Sequence, residues 1–142
     1  MYQGIIFALI AAIAFGIWTV FHKQASSYID YLFGAIIVSL TAVILGLIFL
    51  LPKIKSVTLF TNPKGILFAS LAGICALAID FFALKAYGSG LSISVAGPII
   101  IAGSVAIASL IGFFLGESVT LLKVLGLVLV IIGSGILSAF SG

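Results

Sequence analysis

The chain has 142 residues, the length of one ordinary soluble domain, yet 64% of them are hydrophobic and only 6% are charged. Soluble domains run at roughly 45–50% apolar and about 25% charged, so six lysines and three acidic residues are too few to clothe a water-facing surface. That excludes a secreted domain, a cytosolic enzyme and a disordered tail, and leaves an integral membrane protein, with the lipid bilayer as its first partner. The formal charge of +3 is no nucleic-acid signature, because Lys23, Lys53, Lys55, Lys64, Lys85 and Lys123 are scattered at the ends of apolar runs. Lysines so placed anchor helices at the membrane interface. The lone cysteine, Cys75, excludes an intrachain disulfide.

A spanning helix needs about 20 mostly apolar residues. The opening run, residues 1–22, lacks the charged start and small-residue cleavage site of a signal peptide, so it predicts a retained helix over about 3–22. A second run predicts a helix over 31–51. Residues 52–64 form the longest loop, with Pro52, the Asn62-Pro63 pair and three lysines. The third run reaches spanning length only by continuing through Asp80, which gives a helix over 65–87. Gly88-Ser89-Gly90 is a turn signal that places the fourth helix at 91–115. The connection Gly116-Glu117-Ser118-Val119-Thr120 is short enough to make a tight antiparallel hairpin with a fifth helix at 121–140. The alternation of a β-barrel is absent. The expected fold class is therefore an all-α, five-transmembrane-helix bundle in a single domain over 1–142. With the N-terminus inside, cytoplasmic loops hold Lys53, Lys55, Lys64 and Lys123 while outer ends hold Lys23 and Lys85, which favours N-in, C-out. The bias is small, and a dual topology, with insertion both ways round, would show the same.

The order and spacing of several motifs resemble a known domain. Phe82-Ala83-Leu84-Lys85, then Gly88, Ser92 and Pro98, then Leu115-Gly116-Glu117, Thr120, Gly126 and Gly133 resemble the closing half of an EamA domain of the drug/metabolite transporter superfamily. Residues 12–23, with Phe15-Gly16-Ile17-Trp18 at their centre, are similar to that domain's first helix, and the resemblance runs from about Gly4 to Phe140. It implies one five-helix half of an inverted-repeat transporter in the cytoplasmic (inner) membrane of a prokaryote, working by alternating access between two halves. The chain departs from the pattern in having no arginine, in placing Ser118 after Glu117 where a basic residue is commoner, and in carrying one domain where typical members fuse two. The partner implied is a second copy in a homodimer, with an antiparallel arrangement among those allowed, or another five-helix half.

Asp80 is the outstanding candidate, because an ionisable group inside a span is costly and is usually functional or paired. Ala69, Gly73, Ala76, Ala83 and Tyr87 share its helical face, a mostly small stripe that faces protein or a cavity. Asp80 then couples to a proton or cation, pairs with Lys85, or is simply hydrated. Lys85 is about 7.5 Å further along the axis but about 140° around it. Trp18 and His22 share a face of the first helix with Thr19 alongside; they line a substrate path, where an indole suits flat or cationic ligands, or form part of the interfacial aromatic belt. Pro98, beside Gly97, leaves the Ser94 carbonyl without its helical donor and predicts a kink or local unwinding. Ser94 and Ser104 are the candidate polar contacts there. Gly112, Gly116, Gly126 and Gly133 permit close helix approach, either within the fourth and fifth helices or at a dimer seam, which the resemblance favours.

The leading function is a secondary transporter protomer moving a small organic solute or metabolite, with export favoured by the resemblance alone. No GxxxxGK[ST] motif supplies ATP-driven transport. The alternatives are a non-transporting membrane subunit that stabilises or regulates a partner, and a passive pore or lipid-carrier flippase component. With one histidine and neither H-E-x-x-H nor G-x-S-x-G, an enzyme is not expected, and neither cofactor nor metal is implied.

Overall fold

A computed structural model describes residues 2–56, 58 and 62–139 of the chain, and every regular element among them is helical. The helices are α1 (Tyr2–Ala25), α2 (Tyr31–Leu50), α3 (Lys64–Gly88), α4 (Ile93–Phe114) and α5 (Leu121–Ala139), with a short 3₁₀ turn at Leu51–Lys53. At 19 to 25 residues, all five are long and apolar enough to cross a membrane. Hydrocarbon offers no partner to backbone amides, so a spanning segment satisfies them internally as helix. The protein is an all-α, multi-pass membrane protein.

The ends of these helices follow local chemistry. Asp30 caps α2, its carboxylate accepting from the Leu32 and Phe33 amides at 3.0 Å each. Asn62 accepts from the Lys64 amide at 2.9 Å as α3 begins. α1 runs one turn beyond the expected end at His22, to Ala25, where Ser26 closes it by donating to the Lys23 carbonyl. A lysine ends an apolar run, but it is a good helix former and does not end a helix. The start of α4 moves from 91 to 93 because Gly90 is left-handed, with φ +103°, and Ser92 is extended. Gly116, at φ +94°, closes α4 with the paired bonds Glu117 N–H to Gly112 O and Gly116 N–H to Phe113 O. Phe140, the expected last residue of the fifth helix, lies outside the described residues. So do residues 57 and 59–61 of the long loop.

α3 is the hub of the bundle, packing against α1, α2 and α4, while α5 packs chiefly on α4. The core sits towards one end, where α1 turns into α2 and α3 into α4. Ala35, Ala83, Leu84, Tyr87 and Ala96 are buried there, whereas residues 3–14 of α1 and 65–79 of α3 are exposed, with apolar faces for lipid. Most of these core side chains are small, and that is what lets membrane helices approach closely. Gly34 shows the closeness directly, since a Cβ placed on it would stand 2.8 Å from a methyl of the buried Leu84. Gly34→Val is expected to destabilise the protein by about 1–3 kcal/mol through overpacking. A lowered thermal midpoint in detergent reads this, with Gly46→Val as the control, because a Cβ at Gly46 meets nothing within 4 Å.

Candidate functional site

α1 and α3 meet near the same end of the bundle, and the contact between them is polar. His22 is 3% exposed and Asp80 7% exposed, among lipid-facing apolar surface. His22 Nε2 lies 3.2 Å from Asp80 Oδ1, within ion-pair reach but without the alignment of a hydrogen bond. On the other side of the ring, Nδ1 lies 3.1 Å from the Trp18 carbonyl oxygen. A carbonyl only accepts, so that contact assigns the hydrogen of the neutral ring to Nδ1. Nε2 then turns a lone pair towards Asp80 unless a proton lies on one or the other. A lone pair facing a bare carboxylate at 3.2 Å is repulsive. One proton placed between the two groups, as imidazolium and carboxylate or as imidazole and carboxylic acid, removes that repulsion.

The surrounding side chains fit that role. The Trp18 ring lies tilted by 36° against His22 at 3.7 Å between centroids and stacks on Phe15 at 4.9 Å. An indole face over an imidazole favours its cationic form. Thr19 is buried, but its hydroxyl is engaged with the Gly16 carbonyl at 2.7 Å. Tyr87, 1% exposed, packs with Ala83 and Ala96, and its hydroxyl has no hydrogen-bond partner among the described residues. Lys23 donates to the Tyr87 carbonyl at 3.0 Å, which fixes α1 to the end of α3 where a helix dipole is negative. α1 and α2 pack on α3 more than on one another. The space between them is an apolar groove of about 330 Å³, lined by Trp18, Phe21, His22, Gly34 and Leu84 among others.

Of the candidates from the sequence, Asp80, His22 and Trp18 come together, Thr19 is buried on α1 with its hydroxyl turned to its own helix, and Lys85 is not the partner of Asp80. Lys85 instead holds its ammonium 5.9 Å from the centre of the Phe81 ring, as its angular offset from Asp80 dictates. Ser94, Pro98 and Ser104 lie elsewhere. α4 turns Ala96 to the core, so Pro98, about 200° round the helix, lines a groove against α5 with Leu129 and Gly133. The expected unwinding at Pro98 is not present, because α4 continues unbroken from Ile93 to Phe114. Ser94 pairs with the Ser92 hydroxyl at 2.9 Å, and Ser104 donates to the Ile101 carbonyl at 2.8 Å; both are exposed. Gly97 is buried, yet a Cβ on it would meet nothing within 4 Å. Gly112 makes room for Glu117, whose carboxyl atoms stand 3.0–3.1 Å from where its Cβ would be. Gly116 serves the turn, whereas Gly126 and Gly133 meet nothing within 4 Å of an added Cβ. The links from Asp80 to His22 and from Lys23 to Tyr87 were not read from the sequence. The signal for the first was the lone histidine and an acidic residue placed near the same ends of two parallel spans.

A sequence model of the EamA-like transporter family matches residues 2–139, nearly the whole chain. No curated protein and no solved structure matches it.

Proposed function

The chain belongs to the EamA-like transporter family, and on that premise we propose that it is the protomer of a proton-coupled secondary transporter for a small organic solute. Membership supports transport of the drug/metabolite type. The finer reading is that two halves, two copies of this chain or this chain with another five-helix half, alternate access to a shared path in the cytoplasmic membrane of a prokaryote, with export as the favoured direction. The observation that carries it is the buried His22–Asp80 contact at 3.2 Å, a one-proton site bridging two spans. An intramembrane acid–base pair of this kind is an established device for proton relay. Gaining or losing its proton changes the attraction between α1 and α3, which is the movement alternating access requires. The one-ended core supports the same reading, since α1 and α3 bury side chains at the His22 end and leave residues 3–14 and 65–79 exposed. A homodimer working unaided needs the chain to insert both ways round, and the lysine bias is slight enough to permit that.

The test uses the purified full chain in proteoliposomes with a pH-sensitive dye inside and an imposed pH gradient. Adding members of a panel of amines, amino acids and neutral metabolites outside is expected to release proton flux for one class of solute. Flux that saturates and collapses with the gradient supports the reading. Solute movement indifferent to the gradient contradicts it, and favours a passive pore.

A further inference from the structure

The corner between α4 and α5 lies at the opposite end of the bundle from His22, where α4 ends at Phe114 and α5 begins at Leu121. A groove of about 300 Å³ opens between the two helices there. Its lining is graded in polarity. Glu117 and Lys123 belong to the corner end, while Phe113, Val105, Leu127 and Val130 line the stretch along the helices. Phe113 and Val105 are eight residues apart, so the apolar stretch runs about 12 Å into the span.

The acid and the base in this groove do not pair with each other; the one ion pair among the described residues is His22–Asp80. Each is held by its own surroundings instead. The Glu117 carboxyl lies over Gly112, 3.0–3.1 Å from where a Cβ would stand. Its backbone amide donates to the Gly112 carbonyl, and its carboxylate has no hydrogen-bond partner among the described residues. Lys123 Nζ donates to the Ser118 carbonyl at 2.8 Å and to the Ser118 hydroxyl at 3.2 Å. An ammonium has three donors, so one is left over. Gly126 keeps the groove open, since a Cβ on it meets nothing within 4 Å.

We propose that this groove holds one phospholipid whose headgroup carries a primary ammonium beside its phosphate. The phosphate takes the remaining Lys123 donor, the ammonium donates to the Glu117 carboxylate, and one acyl chain lies along Phe113, Leu127 and Val130. Charge complementarity selects this occupant. An anionic lipid satisfies Lys123 but sets its charge against Glu117, and a headgroup without N–H donors leaves the carboxylate unpartnered. The depth agrees, because headgroups lie level with the ends of spanning helices and chains lie alongside them. The site is remote from the His22–Asp80 pair and does not depend on proton coupling.

The test titrates the purified full chain in detergent with phosphatidylethanolamine, phosphatidylcholine and phosphatidylglycerol of identical acyl chains, and counts lipid adducts by native mass spectrometry. The expected result is one phosphatidylethanolamine per protomer, bound about tenfold more tightly than phosphatidylcholine, whose trimethylated nitrogen has no donor. Glu117→Gln is expected to remove most of that preference, and Lys123→Gln to weaken both lipids. Gly126→Leu fills the groove and is expected to weaken every lipid while helix content stays unchanged. Equal affinity for the ethanolamine and choline lipids overturns the assignment. So does a preference for phosphatidylglycerol, which would mark a general attraction of Lys53, Lys55, Lys64 and Lys123 for anionic lipid. Free phosphoethanolamine that competes as well as the intact lipid overturns the lipid as occupant. A dimer that takes up no lipid and is split by Gly126→Leu gives the groove to a second copy and overturns the proposal.

Discussion

Asp80→Asn reduces gradient-driven solute flux in proteoliposomes to the background of protein-free vesicles, while the variant elutes in the same detergent-solubilised form as wild type and stays helical by circular dichroism. The amide keeps the shape of the carboxyl and still contacts His22 Nε2, so α1 and α3 remain joined. It cannot take up or give up a proton, so the coupled step is lost and the fold is kept. Counterflow, in which labelled solute exchanges for unlabelled without a gradient, tells whether solute exchange depends on proton movement. Persistence of gradient-driven flux in the variant removes Asp80 from the coupling step.

The second large effect is on stability, and it separates a pair from two independent residues. His22→Leu leaves Asp80 buried against apolar surface with no basic partner, and breaking a buried pair by removing one member costs about 3–5 kcal/mol. Replacing both, His22→Leu with Asp80→Leu, removes the uncompensated group and is expected to recover most of the loss, because buried pairs exchanged for packed apolar residues are often neutral or stabilising. The double variant is then stable and inactive. Thermal unfolding of the four proteins in one detergent measures the cycle, and a coupling energy near zero contradicts the pairing of His22 with Asp80.

The fold was largely legible because hydrocarbon imposes one rule, and residue runs long enough to span it stand out against six lysines and three acids. The expected α2 and α3 match to within a residue at either end. α1 was read too short and α4 began too early, since a charge or a turn signal marks where an apolar run stops and not where helical hydrogen bonding stops. The site was legible only in part. Asp80 and its small-residue face, and Trp18 with His22 on one face of α1, follow from helical period alone. That those two faces meet does not, because period places residues on a helix and says nothing about which helices touch. Pro98 shows the same limit from the other side: a proline inside a span reads equally as a break at a site or as a packing kink without ligand contact, and here it faces α5. Gly112 was read only as a site of close helix approach. The structure spends it on the Glu117 side chain of its own corner, a local use that glycine spacing cannot tell from a seam.

The most direct measurement uses the fact that the chain has one histidine and two aspartates, Asp30 and Asp80. Protein labelled with ¹⁵N-histidine and ¹³Cγ-aspartate gives one pair of imidazole nitrogens and two carboxyl carbons, readable by solid-state NMR in bilayers without ambiguity of assignment once Asp80→Asn removes one carbon signal. Nδ1 is expected to be protonated throughout, and Nε2 and the Asp80 carbon to change together across a single proton exchange. An Nδ1 that lacks its hydrogen, or a histidine and an aspartate that titrate independently of one another, would contradict the one-proton pair.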